Sequence, residues 1–234
     1  MKTFSINEAL NYGWALFKQN KKVLALAALV YLVITNAQNM DMAFPELPTV
    51  LEYAIVALFG LLSILVQIGW YKMLLKVMDG VPVKIGELFA HTRLFFRYIG
   101  ALILYIIVTG IPVLVGSILW WFVMSSGHVW LAVVVGAACV AAGIASVYLA
   151  LKYHFVLVLV IDKEEMGIRE AFKVSAKMTE GVKWKLVGLC FMTLLLIILG
   201  AIVFVVGVLA TFPTAILAYL SIYRKLLALE TPSV

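Results

Sequence analysis

The sequence predicts an all-α protein that crosses the membrane as a bundle of six helices. Three observations carry this: an apolar composition, three long stretches without Lys or Arg, and a short motif that precedes each stretch. Of 234 residues, 65% are hydrophobic and 13% charged, with a mean hydropathy of +1.11. A soluble domain carries roughly 25% charged residues, so a water-facing surface cannot be assembled from this composition. One integral membrane domain over residues 1–234 is expected.

Lys and Arg are absent between Lys22 and Lys72, between Arg97 and Lys152, and between Lys185 and Arg224. Each gap holds two crossings at roughly 20 residues per helix. The first is interrupted by a polar break from Asn36 to Pro48 that contains Asp41 and Glu46, the second by Ser125-Ser126-Gly127. The third must turn between Gly200 and Gly207. The expected spans are 23–38, 50–72, 98–124, 130–152, 184–204 and 208–228. Each must be helical, because the hydrocarbon offers no water to backbone groups. All 18 basic residues then fall on one side or at its interface. Cytoplasmic loops carry the Lys/Arg excess, so both termini and Lys173 are expected inside and Met42 outside, in a multi-pass protein of the cytoplasmic membrane. The net charge of +6 therefore flanks apolar runs instead of forming a face for nucleic acid. The first twenty residues are amphipathic and lack the apolar core of a signal peptide.

The motif is Ile6-Asn7-Glu8-Ala9-Leu10, Ile85-Gly86-Glu87-Leu88-Phe89 and Ile168-Arg169-Glu170-Ala171-Phe172, at intervals of 79 and 83 residues. Asp79 and Asp162 each stand six residues before the second and third copies. A repeat is expected, over about 5–80, 81–163 and 164–230, consisting of an amphipathic cytoplasmic helix and a transmembrane hairpin. Ser5 and Glu8 have the spacing of a capping box. Ile6, Ala9, Leu10, Gly13, Trp14 and Phe17 share one helical face, as do Ile168, Ala171, Phe172 and Ser175 in the third copy. Arg169, Lys173 and Lys177 point away, which suits a helix lying on anionic headgroups. Each hairpin ends in an aromatic-basic cluster: Tyr71-Lys72, Lys152-Tyr153-His154 and Tyr223-Arg224. Aromatic and basic tips are favoured at the membrane interface.

The run Ile168-Arg169-Glu170-Ala171-Phe172-Lys173-Val174-Ser175-Ala176-Lys177-Met178-Thr179-Glu180-Gly181-Val182-Lys183-Trp184-Lys185-Leu186 resembles a family of poorly characterised bacterial six-span membrane proteins. That family is similar to the membrane domain fused to some glycerophosphodiester phosphodiesterases. Pro213, Ala218-Tyr219 and Tyr223-Arg224 resemble its last span. The resemblance implies a bacterial inner-membrane protein and supplies no catalytic residue, since the phosphodiesterase chemistry belongs to a soluble domain.

No catalytic, cofactor or metal site is expected. His91, His128 and His154 have no ligand neighbour at helical spacing, and His154 is read as an interfacial anchor. Cys139 and Cys190 lie in apolar stretches and are read as small hydrophobes. The twelve carboxylates lie outside the spans or at their ends, whereas ion-coupled pumps and acid–base enzymes use an acid within the membrane. Ser63, Gln67, Thr109, Ser117, Ser146 and Thr193 are expected to join helices, with Gln67 the one most in need of partners. Gly136 and Gly143 suit close helix approach, and Pro112 and Pro213 predict kinks. The expected function is that of a non-enzymatic scaffold, assembly or accessory protein, with lipids and a membrane protein as partners. The alternative is a transporter or lipid-handling protein with a cavity among the three hairpins; a dry axis would favour the first reading.

Overall fold

A computed structural model describes residues 4–37, 49–126 and 129–230. Most of the polar break, including Asp41, Met42 and Glu46, lies outside the described residues, as do Gly127 and His128. The described chain is helical, without strands. Its helices are α1 (Ile6–Gln19), α2 (Lys21–Asn36), α3 (Thr49–Met78), α4 (Phe95–Ser126), α5 (Val129–Lys152), α6 (Val156–Asp162), α7 (Ile168–Met178), α8 (Lys183–Ile202) and α9 (Phe204–Glu230). Two 3-10 segments, Ile85–Phe89 and Thr92–Leu94, precede α4. Five stretches are long and apolar enough to cross a membrane: Tyr53–Met78, Ile85–Ser125, Trp130–Asp162, Lys183–Ile202 and Gly207–Glu230. The first expected span corresponds to α2, whose described length is 16 residues.

The three motif segments start where the capping and periodicity place them, but they are not alike. In α1 the Glu8 amide donates to Ser5 Oγ at 3.4 Å, and Ala9, Gly13 and Phe17 are buried. Trp14 stays 44% exposed, stacked on Phe17. In α7 Ala171, Ser175 and Met178 are buried while Arg169, Lys173 and Lys177 are exposed, as the 3.6-residue period requires. The middle segment is a 3-10 turn of 5 residues instead of an α-helix. Gly86 lowers its helix propensity, and the Leu88 carbonyl presses directly onto Gly69 of α3, where any Cβ would clash.

The expected fourth span also runs on. After Lys152 the backbone breaks at Tyr153–Phe155 and resumes as α6, in which Val156, Val158, Leu159, Val160 and Ile161 are all buried. Two hydroxyls of α7 and its C-terminal cap hold the break. Ser175 Oγ accepts from the Phe155 amide at 3.2 Å and donates to the Lys152 carbonyl at 3.3 Å, and Thr179 Oγ1 donates to the same carbonyl at 3.0 Å. Backbone freed from helix inside an apolar run persists only where protein groups satisfy it or where it lines a cavity.

The main core lies where α3, α6 and α9 converge, around Met73, Leu74, Leu159, Leu217 and Leu220, which are fully buried. Tyr31 of α2, Trp70 of α3 and Phe212 of α9 form a mutual aromatic cluster with all three centroid separations at 5.4 Å. Such ring pairs contribute about 0.5–1.5 kcal/mol each beyond burial. The motif segments pack on one another's hairpins in rotation. α1 lies against α9, with Gly13 on the Thr214 carbonyl and Ala218, while Ile6 reaches Gly188 of α8. The middle segment lies against α2 and α3, and α7 against α6, α9 and α4, with Ile168 reaching Gly100 of α4.

Helices α8 and α9 turn at Val203, and Gly200 and Gly207 meet backbone to backbone, the turn expected from those glycines. Helices α4 and α5 form the most exposed hairpin. Gly116 of α4 meets Ala142 and Cys139, and Gly136 meets Trp120, whereas Gly143 has nothing near it. Helices α4 and α9 continue through Pro112 and Pro213. Proline at 112 removes the amide that would bond the Val108 carbonyl. One residue on, the Thr109 carbonyl accepts a hydrogen bond from Ser146 of α5. Ser63 donates chiefly to the Phe59 carbonyl of its own helix at 2.7 Å and only marginally across to the Ile34 carbonyl at 3.4 Å, while Ser117 bonds only its own helix.

Candidate functional site: a polar cavity among the hairpins

A cavity of about 440 Å³ opens between α3, α4, α6, α8 and α9. Small-molecule sites run about 300–1,000 Å³, mostly apolar with a few convergent polar groups. Helix α3 contributes Gln67 and Tyr71, one turn apart on one face; α4 contributes Tyr98 and Tyr105, two turns apart. The break between α5 and α6 brings in His154, and α9 brings Tyr219. The apolar wall comes from Leu157, Val158, Leu194, Ile197, Ala215 and Ile216. Leu194 is 54% exposed and stands at the outer edge, so the cavity is open on the side of α8.

The back of the cavity is fixed. The Tyr219 hydroxyl donates to the His154 carbonyl at 3.3 Å, and its ring meets the imidazole edge-on at 5.2 Å and stacks on Phe155 at 5.4 Å. Cys190 Sγ lies 3.8 Å from His154 Nε2. The Thr193 hydroxyl is taken by the Leu189 and Cys190 carbonyls of its own helix. The side chains of Gln67, Tyr71, Tyr98 and Tyr105, by contrast, have no hydrogen-bond partner among the described residues. Buried polar groups ordinarily have partners, so these four are available to a guest.

A clasp sits at the end of the bundle near α9's C-terminus. Tyr223 Oη donates to Asp162 Oδ2 at 2.8 Å, and Arg224 Nη2 stands 3.3 Å from Asp162 Oδ1 and 3.1 Å from Asp79 Oδ2. The two aspartates of the motif spacing thus meet on one arginine from the third hairpin. Lys72 pairs with Glu164 at 2.6 Å, and the Lys72 ammonium holds the Glu164 carboxyl below its ordinary range. Lys76 pairs with Glu87 at 2.7 Å.

The structure therefore divides the aromatic-basic clusters. Tyr71 and His154 line the cavity. Lys72, Tyr223 and Arg224 enter ion pairs or hydrogen bonds. Lys152 lies over the Tyr153 ring at 5.5 Å, and that ring packs on Phe172 at 4.9 Å. Gln67, singled out for lacking a partner, belongs to the cavity, and so does Thr193. Tyr98, Tyr105 and Tyr219 joined no sequence-predicted site. Their signal was a phenol recurring inside otherwise apolar runs. Among the described residues no group of His, Cys, Asp and Glu has the arrangement of a metal site. No family model matches the chain, nor does any curated protein or solved structure.

Proposed function

We propose that the chain is a lipid-handling or transport protein that holds an amphiphilic molecule between its hairpins. One observation carries this: the cavity with four unengaged polar side chains and a wall open beside α8. A dry, aliphatic axis would have had nothing to bind. The helix break at Tyr153–Phe155 supports the same reading, since interrupted helices form the substrate sites of many transporters. The test is retention of ligand. Thr193→Trp puts a large ring into the cavity from a partly exposed position whose own hydroxyl bonds only its helix. Native mass spectrometry of the protein extracted with its membrane lipids should show a bound amphiphile that this variant loses. Equal retention by both proteins would refute the reading.

The setting we propose is a bacterial inner membrane, crossed six times with both ends cytoplasmic and the three repeats arranged about a pseudo-threefold axis. The Lys/Arg partition supports the topology. The packing of α1 on α9, of the middle segment on α2 and α3, and of α7 on α6 supports the axis, although α7 also touches α9 of the hairpin that follows it. The Tyr71-Lys72, Tyr153-His154 and Tyr223-Arg224 clusters would then share one depth, with the cations of α7 toward anionic headgroups. In a background without Cys139 and Cys190, a cysteine at Ser125 should label only from outside and one at Lys173 only from inside. Labelling of both from the same side would exclude the topology. A second reading, as a scaffold or assembly partner, is favoured by α5, whose most apolar stretch has no buried residue. Co-purification of a stoichiometric protein that shields α5 from labelling would support it.

A further inference from the structure

The lining of the cavity also selects the kind of molecule bound, an inference that rests on the cavity being a binding site. We infer that the guest has an uncharged headgroup that accepts hydrogen bonds, with its hydrocarbon leaving beside Leu194.

Charge is the first reason. No Lys, Arg, Asp or Glu lines the cavity, and its one basic side chain, His154, is held between Cys190 Sγ and the Tyr219 ring. The cations near the lining residues in sequence are engaged elsewhere, and Lys152, two residues before His154, lies over the Tyr153 ring. Lys72, next to Tyr71, holds Glu164. Arg97, next to Tyr98, donates to the carbonyls of Lys163 and Met166. Arg224, beyond Tyr219, holds Asp162 and Asp79. An ionised phosphodiester or carboxylate entering here would lose its water and find no counter-charge, which is strongly unfavourable.

The inventory of free groups is the second reason. Tyr219 and Thr193 spend their hydroxyl protons on backbone carbonyls. What remains are the phenols of Tyr71, Tyr98 and Tyr105, the amide of Gln67 and the imidazole of His154, which faces the Cys190 thiol at 3.8 Å. A phenol offers one proton and an amide two. A guest with carbonyl, ester or ether oxygens takes up these protons, while the phenol and amide oxygens can in turn accept from a hydroxyl of the guest. The third reason is shape. The remaining wall is aliphatic, and its open side lies at Leu194 and Ile197 on α8, within one of the stretches able to cross the membrane. A chain leaving there passes into hydrocarbon, not into water. Diacylglycerols and alkylated quinones both meet the three conditions; phospholipids with anionic heads do not.

The test uses the full chain in neutral detergent and native mass spectrometry with three probes: a diacylglycerol, the phosphatidylglycerol with the same acyl chains, and a prenylated benzoquinone. Binding is counted as the part that Thr193→Trp abolishes, which removes lipid held on exposed lysines. At least one uncharged probe should bind one to one, at least tenfold more tightly than phosphatidylglycerol. The double variant Tyr71→Phe, Gln67→Leu should weaken it at least tenfold with an unchanged melting temperature, and each single variant should weaken it less. Phosphatidylglycerol bound as tightly as the uncharged probes would overturn the headgroup inference and leave the cavity reading standing. Undiminished binding by the double variant would overturn the assignment of these residues. No binding of any probe would overturn the inference; if Thr193→Trp also retains native lipid as well as the unaltered protein does, the cavity reading falls with it.

Discussion

Ser175 shows how one hydroxyl can decide a backbone path. It satisfies the Phe155 amide and shares the Lys152 carbonyl with Thr179, across a break that no local preference of Tyr153-His154-Phe155 requires. Ser175→Ala leaves a buried amide without an acceptor, a loss of about 1–3 kcal/mol. Thermal unfolding in detergent should report it, and His154, carried by that break, should lose its place in the cavity with a drop in ligand retention. A variant as stable as the original would mean the hydroxyl is dispensable. Glycine gives a sharper contrast. Gly69→Ala would drive a methyl group into the Leu88 carbonyl, and such overpacking costs about 1–3 kcal/mol. Gly143→Ala, with open space around it, should be neutral or slightly stabilising because alanine is the better helix former. Equal effects would contradict the packing at Gly69. Both glycines look alike in sequence, and what distinguishes them is a segment 19 residues away for one and none for the other. The burial of Ser175 was readable from its face of α7; its partners were not, since they belong to a turn 20 residues earlier.

Helix boundaries set by short-range chemistry were readable, and those set by packing were not. Ser5 caps α1, Gly200 and Gly207 mark the α8–α9 turn, and the period of α7 puts its cations outward, all from neighbouring residues. α6 was missed because Lys152 looks like a span's end, although seven helical residues follow three residues later. The middle motif segment was expected as an α-helix, and the crowding at Gly69 instead leaves it a 3-10 turn. The Lys72–Glu164 pair ties α3 to the turn after α6, and it has a pH signature. A carboxyl held below its ordinary range stabilises the fold above that range, and the contribution disappears as pH falls through the lowered value. At neutral pH the unaltered protein should therefore be slightly more stable than Glu164→Gln, and the gap should close below about pH 4. The effect is small, because Glu164 is 46% exposed and water screens the pair. A gap independent of pH would assign the difference to packing.

At the level of the whole molecule, the helical membrane class was readable from composition and from the spacing of Lys and Arg, since these act through the solvent and not through particular contacts. The cavity was readable only in part. Gln67 stood out because an amide in an apolar run needs a partner. Tyr71 and His154 looked like headgroup anchors, since an aromatic beside a cation reads the same whether it faces lipid or a cavity. The clasp could not be read at all: Arg224 and Asp79 are 145 residues apart. The proposed ring of repeats makes a whole-chain prediction. Phe4 and Ser5 line one pocket together with Ser221 and Lys225, so the start of α1 lies close to the last turns of α9. A permuted protein joined from 230 to 4 by a short flexible linker and opened between Val81 and Lys84 should fold, keep the Arg224 clasp and bind the same ligand. One opened inside α9 should not. Failure of the first, with the unpermuted protein intact, would show that the order of the repeats matters and that they are not equivalent units.

The packing of α1 on α9 also bears on how the protein is made. α1 is made before α9, yet the surface it covers, around Thr214 and Ala218, belongs to α9. Throughout synthesis the buried side of this helix, with Ala9, Gly13 and Phe17, must wait at the membrane surface, where Trp14 can anchor it. Docking of α1 must then wait for α9, and every chain interrupted before Phe204 carries an undocked α1 that quality-control proteases can recognise.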